Sequence, residues 1–455
     1  MRNFNVSLLL LLLAACGSHM ADTPQASNTD NQPANSPDDE LTETTNQSPT
    51  SFQVAQVDIP RDTALSVPKQ QIQDLTHHGN DFAANLYRQA VTNSHQNLTF
   101  SPYSITQAFS MLYAGAQHET EAELAQVFHY LPNEIHHQTF NALDQQITAP
   151  VPVPKGYGAS FELNIVNALW GQQGFLIQEA FLTTLAQQYG MGMHMLDFVD
   201  QPDFARQTIN DWVAQQTNNR IPALLAANSI DDLTRLVLTN TVCFQASWAE
   251  PFKKRYTKSA LFTLIDESTI QVPMMHADLT VEYMANNTYQ AAQIPYTGYT
   301  MDMWVVLPRE GHFATAEAQL GGTFFSELGK QVETYDVKLS LPKFEIGSAL
   351  ELKPLLQSMG LLSAFHEQKA DFRAIVDDYE LFVADAFHQS TITVDEQSTG
   401  ATAATNVLSV ILSDPWREKS AEMNLNRPFI FAIMHRETGA ILFLGRMMNP
   451  AEGGS

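Results

Sequence analysis

The chain has 455 residues, with 24 Lys and Arg against 49 Asp and Glu, for a formal charge of -25. That balance excludes a nucleic-acid binder, whose partner's phosphates need a basic surface, while 44% hydrophobic residues supply a large core. Of the two cysteines, only Cys243 lies beyond the N-terminal region, so the folded part holds no disulfide framework.

At the start, Arg2 precedes an apolar stretch at 6–13, too short to span a bilayer, and then comes Leu13-Ala14-Ala15-Cys16. This is similar to a bacterial lipobox, so residues 1–16 read as a lipoprotein signal peptide with Cys16 as the lipid anchor. Gly17 stands where Asp is associated with inner-membrane retention. The expectation is therefore an exported outer-membrane lipoprotein, periplasmic or on the cell surface, that touches the membrane only through its lipidated N-terminus. Residues 17–70 begin rich in Asn, Ser, Thr, Pro, Gln and Asp, too poor in apolar side chains to order themselves, and read as a disordered polar tether.

Residues 71–455 read as a single domain. Helical periodicity is clear over 81–91, 104–115, 119–128 and 204–216, the last with Trp212 and Val213 inward. The Pro-rich 149–158 is a loop within the domain, followed by strand alternation at Phe161, Leu163 and Ile165. Further strands are predicted at Val337, Leu339 and Leu341 and over 303–307, 381–394, 428–434 and 440–445. Helices early and strands late argue for α+β with largely antiparallel sheets rather than a repeating βαβ fold.

No catalytic constellation stands out. The sequence has no Gly-x-Ser-x-Gly, His-Glu-x-x-His, Cys-x-x-Cys or phosphate-binding Gly-rich loop. The adjacent pairs His77-His78 and His136-His137 cannot share a helix face as a metal clamp would need, and read as solvated. Asp231-Asp232 and Asp377-Asp378 read as turn or cap residues, and Cys243, in an alternating apolar run, as a buried inert thiol. Neither an enzyme, a cofactor nor a metal is expected.

The segment 394–413, VDEQSTGATAATNVLSVILS, is different in kind. After two acids it runs through Ser398, Thr399, Gly400, Ala401, Thr402, Ala403, Ala404 and Thr405, which offer almost no anchoring side chain, so it can leave or enter a sheet at little steric cost. An apolar, cleavable half and a polar tail containing Pro415 follow. This is the pattern of a mobile bait loop, although composition alone also allows a surface linker.

Other segments resolve that ambiguity. NLTFSPYSITQAFSMLYAGAQHET at 97–120, LVLTNTVCFQASWAEPF at 236–252 and NRPFIFAIMHRETGAILFLGRMMNP at 426–450 resemble signature segments of the serpin family, in the right order. The resemblance extends through 209–225, 294–308, 337–346 and 381–396. It implies a serpin fold with three β-sheets, about nine helices and an exposed reactive-centre loop, found here near 396–413.

The resemblance also implies a mechanism and a set of site residues. A protease cuts the loop, and the loop inserts into the large sheet and traps the serine protease, or a cysteine protease, as a covalent acyl-enzyme. Glu396 and 398–405 would be the hinge, with Ser398 where Gly is common and Gly400 where Glu is common; both replacements are small. Family spacing from Glu396 puts the reactive bond at Leu412 and Ser413. The tail at 413–426 is longer than in many members, so Ile411, Ser413, Trp416 and Arg417 stay open as cleavage positions, the last implying a trypsin-like target. Leu412 suits chymotrypsin, cathepsin or elastase-like proteases, with subtilisin-like and papain-like ones as further candidates. By motif match, Ser101, Ser104, Asn240 and His388 would be the polar cluster that governs sheet opening, and Trp248 the aromatic where the loop enters. The helix near Glu134–Asp144 carries no basic cluster, which argues against activation by a polyanion. The protein is expected to be a monomer. The alternative is a non-inhibitory member serving as a surface binding module, which Pro or bulky hinge residues would favour and which 399–406 lacks.

Overall fold

The computed structural model describes residues 52–91, 95–150, 161–377, 381–396 and 419–452, all within one compact unit. The helices among them are α1 (Lys69–Ala90), α2 (Pro102–Tyr113), α3 (His118–Phe128), α4 (Asn133–Ile147), α5 (Glu179–Thr184), α6 (Pro202–Gln216), α7 (Phe313–Glu317), α8 (Phe324–Gly329) and α9 (Leu352–Ser358). A π-helical turn, Leu185–Tyr189, continues α5. The strands are β1 (Gln53–Ala55), β2 (Leu98–Phe100), β3 (Phe161–Gln172), β4 (Met193–Leu196), β5 (Leu236–Ala246), β6 (Lys258–Thr263), β7 (Thr269–Ala285), β8 (Tyr289–Pro295), β9 (Met301–Pro308), β10 (Glu333–Pro342), β11 (Phe344–Glu351), β12 (Asp385–Val394), β13 (Ser420–Asn424), β14 (Phe429–His435) and β15 (Ile441–Met447).

One sheet runs β1-β4-β3-β5-β12-β11. The other strands form a single hydrogen-bonded network, β13-β10-β7-β8-β9-β14-β15-β2, with β6 also on β7. Its hinge is β7, whose 17 residues pair with β10 along 274–283 and with β8 only at 282–285. The two arms that meet on β7 supply the second and third sheets of the expected α+β fold. No helix among the described residues is long and apolar enough to cross a membrane.

The helix α2 is buried on nearly every side, so it sits as a central post rather than as an amphipathic surface helix. Its start is fixed locally: Pro102 fits the first turn, where no amide partner is lost, and the Ser101 hydroxyl accepts from the Ser104 N–H at 3.1 Å. The main core packs between the sheets and around α1 to α3. A smaller one, with Trp170, Phe198, Ile209 and Val213, lies under α6.

Two sequence expectations are corrected here. Residues 52–70, expected to belong to the tether, are part of the fold: β1 pairs antiparallel with β4, Gln53 opposite Met195 and Ala55 opposite Met193, and α1 starts at Lys69. Three strand residues carry no compositional signal, and their stability comes from the edge they pair with. His136 and His137 are buried rather than solvated, because α4 packs them against Tyr113, Tyr130 and Tyr189. Burial pushes the His136 imidazolium well down from its usual range and that of His137 down to about 4, so both are neutral at pH 7. The turn reading of Asp231 holds, its carboxylate accepting from the Leu233 N–H at 3.1 Å, and Cys243 lies buried on β5.

Candidate functional site

In the six-stranded sheet β5 and β12 are parallel neighbours, from Asp385 opposite Val237 to Ile392 opposite Phe244. Their outer partners, β3 and β11, are antiparallel to them. His388 stands opposite Asn240 in this ladder, and a side-chain hydrogen bond from His388 Nδ1 to Asn240 Oδ1 spans the joint.

The tautomer follows from the neighbours. The Ser101 N–H donates to His388 Nε2 at 3.1 Å, so Nε2 is the bare nitrogen and Nδ1 carries the proton. Full burial pushes the His388 imidazolium down to about 3, in keeping with a neutral ring. Asn240 passes the network on, its Nδ2 lying 2.6 Å from Ser104 Oγ and 2.9 Å from Ser104 O, and also donating to Asn167 Oδ1. Asn167 Nδ2 donates to Gln107 Oε1 at 2.8 Å. Beside it, Ser390 Oγ donates to Thr99 O at 3.0 Å and the Thr99 N–H to Ser348 Oγ at 3.0 Å. The cluster thus ties β3, β5, β12 and β11 to β2 and the start of α2. Ser101, Ser104, Asn167, Asn240, His388 and Ser390 are all buried, and the side chain of each is hydrogen-bonded.

The end of the joint at which β12 finishes has its own anchor. Trp248, just beyond β5, donates from Nε1 to Asp395 O at 2.9 Å and stacks on Tyr296 with ring centroids 4.6 Å apart. Glu396 is buried and bonded to Lys343 Nζ at 2.7 Å and to Thr257 Oγ1 at 2.7 Å. Burial works against ionisation of Glu396, but the bonds from Lys343 and Thr257 outweigh it and hold the carboxyl below its ordinary value. Lys343 lies in the one-residue step between β10 and β11, so this pair fastens the end of β12 to the second network.

The structure therefore brings Ser101, Ser104, Asn240 and His388 into one cluster and sets Trp248 and Glu396 together at the joint's end. Residues 398–405, Leu412, Ser413 and Cys16 lie outside the described residues. Sequence reasoning missed Asn167, Ser390, Lys343 and Thr257. Asn167 did carry a signal, since an Asn inside an otherwise apolar strand is disfavoured unless a buried partner waits for it. Among the described residues no group of His, Cys, Asp and Glu could hold a metal ion.

Comparison with known proteins agrees with this geometry. The Serpin (serine protease inhibitor) family profile matches residues 77–450. A serpin-like protein of Thermococcus kodakarensis is 36% identical over 376 residues, covering 82% of this chain and 85% of its own length. The leukocyte elastase inhibitor of Xenopus tropicalis is 31% identical over 377 residues, covering 81% and 97%. Among solved structures, uncleaved ovalbumin matches with a TM-score of 0.73 at 24% identity over 83% of this chain and all of its own, a likeness of fold. The chain belongs to the serpin family.

Proposed function

We propose that the protein is a suicide-substrate inhibitor of a serine protease rather than an enzyme, and that the β5/β12 joint is where its severed loop enters. The observation that carries this is the parallel pairing of β5 with β12. Chain leaving β12 at Glu396 and folding back must run antiparallel to β12, and therefore antiparallel to β5 as well. One strand can then bond to both edges in the more favourable of the two ladder types. Entry breaks the present ladder and makes two, so the gain is about one ladder. At roughly 1 kcal/mol net per bond for on the order of a dozen residues, that is on the order of 10 kcal/mol. An uncut loop is held at both ends, by Glu396 and by β13, and cleavage removes that restraint.

Trapping follows if entry outruns hydrolysis of the acyl-enzyme, because the attached protease is pulled from its working geometry before water completes the second half-reaction. The small residues at 398–405 support rapid entry. Leu412 as the residue before the cut favours a chymotrypsin, cathepsin or elastase-like target, and the elastase inhibitor among the relatives supports that choice. The lipobox-like run ending at Cys16 supports display on an outer membrane, with labelled palmitate incorporation lost in Cys16→Ser as its test.

The deciding experiment incubates the chain with chymotrypsin, elastase, subtilisin, trypsin and papain in turn. A denaturant-resistant adduct, with the new terminus at Ser413 by mass spectrometry, is the expected result. Cleavage without any adduct would assign the chain to the non-inhibitory, binding side of the family.

A further inference from the structure

The family profile begins at residue 77, yet the folded chain is described from Phe52, so 52–67 lie ahead of the matched domain. This strap grips the molecule at two places. At the first, β1 extends the sheet beyond β4, and the Phe52 ring lies 4.6 Å from His194 and 5.3 Å from Trp170, both of which pack edge-on to Trp212 of α6. Gly192 makes this approach feasible, since a Cβ there would stand 2.6 Å from Ala55 O and 2.8 Å from Gln56 Cβ. At the second, Arg61 bonds to Asp144 Oδ2 at 2.6 Å and Asn141 Oδ1 at 2.8 Å on α4, while the Asp62 carbonyl accepts from Asn141 Nδ2 at 2.9 Å and Gln145 Nε2 at 2.8 Å. Asp144 also accepts from Tyr103 Oη of α2, so the second grip ends on the central post.

The two grips lie on parts that must separate. Admitting a strand between β5 and β12 widens their spacing by about 4.8 Å, one strand width. Strands β1, β4, β3 and β5 move away from β12 as one hydrogen-bonded block, whereas α2 and α4 belong to the helical body. We propose that the strap is a built-in brake on loop entry, tying the outer edge of the moving block to α4 so that one grip must let go before the joint can open. Beyond the general entry mechanism, on which it rests, this assigns a rate-setting function to residues 52–62. A half-buried ion pair with its accompanying hydrogen bonds releases reluctantly, which sets a barrier to entry.

The test uses the full chain and, as probe, a synthetic peptide with the sequence of residues 399–410, whose incorporation is followed by native gel and by the rise in melting temperature. Arg61→Gln releases the α4 grip, and Gly192→Ala crowds the β1 grip without touching Arg61 or Phe52. Each is expected to incorporate peptide about threefold to tenfold faster than the unaltered chain. In a merely structural strap both variants would lower the melting temperature of empty and peptide-loaded forms alike; in a brake the variant at the grip that lets go lowers only the empty form. Hydrogen exchange gives an independent reading: the Asp62 amide, which donates to Gln187 O of the π-helical turn at 2.8 Å beside the α4 grip, and the amides of β1, paired with β4, should lose protection at one grip on loading. Two folded variants that load at the unaltered rate, or a loaded chain with both grips still protected, would overturn the brake alone. If the unaltered chain takes up no peptide and gains no stability on cleavage, the entry mechanism itself falls and the brake with it. Should Arg61→Gln not fold, Gly192→Ala and Phe52→Ala carry the same comparison.

Discussion

The β5/β12 joint and the β14/β15 hairpin are equally dry but differently made. Every residue of β14 and β15 is buried, and the side chains are largely apolar, with Phe431 packed toward Phe344 of β11. The middle of the joint is lined instead by Thr239, Asn240, Thr241, His388 and Ser390, all buried, between apolar ends such as Leu238 and Phe244. An apolar surface pulled apart has nothing to replace its lost contacts except water, so the hairpin is permanent. A bonded polar side chain nets only about 1 kcal/mol and can exchange its partner for an incoming backbone group. The molecule keeps its stable contacts where nothing moves and its exchangeable ones where a strand must enter.

Cleavage of the loop is the strongest way to test that division. On the order of 10 kcal/mol of added ladder should raise the melting temperature of the nicked chain by about 12 °C by calorimetry. Equal melting of cut and uncut chains would remove the stored energy altogether. Next in size, Phe431→Ala should cost about 4 kcal/mol in denaturant melts. It should do so equally before and after cleavage, because the hairpin takes no part in opening. A loss confined to the intact form would mean that the two regions are coupled.

Asn240→Ala removes the residue on which His388, Ser104 and Asn167 converge, and should destabilise the intact chain by about 3 kcal/mol while speeding peptide entry. Acid should act on the same lock. His388 titrates at about 3 when folded, against an ordinary value near 6.5. Between those values the unfolded chain binds the extra proton, so stability falls as pH drops below 6.5. This histidine alone accounts for about 2 kcal/mol between pH 7.5 and 5. Where the joint opens and water reaches His388, the ring regains an ordinary affinity and takes up a proton at pH 5, after which Nε2 can no longer accept from the Ser101 N–H; the open form gains on the closed one, so peptide should enter faster at pH 5 than at pH 7.5. His388→Gln should flatten that acceleration; an unchanged pH profile would place the sensitivity in His136, His137 or His194 instead.

Much of this architecture was legible in the sequence because strand and helix periods are local. The alternation at Val337, Leu339 and Leu341 lies within β10, and the helical stripe at 204–216 is α6. Ser101, Ser104, Asn240 and His388 were reached through motif resemblance, since nothing local says that residues up to 287 apart will meet. Separations of 53 and 139 residues likewise hid Lys343 and Thr257 from Glu396. The burial of His136 and His137 escaped notice because an adjacent pair looks solvated until α4 is packed on both sides. The strap escaped because three strand residues and one Arg have no pattern of their own.

The smallest expected effect separates the two locks. Glu396→Gln keeps the shape and an oxygen for Lys343 and Thr257 but discards the charge, and should cost about 1 kcal/mol, because Lys343 is partly solvated and the pair is screened. The folded pKa of Glu396 lies below its unfolded value, so its contribution is complete above the unfolded value and is lost as pH falls through the folded one. The difference between wild type and Glu396→Gln in peptide-entry rate should therefore hold steady from pH 8 to about 5.5 and fade below about 4. The His388 effect grows over the very interval in which this one is flat. Two windows that fail to separate would mean that Trp248 and Glu396 open together with the central cluster as one unit, rather than as an entrance ahead of it.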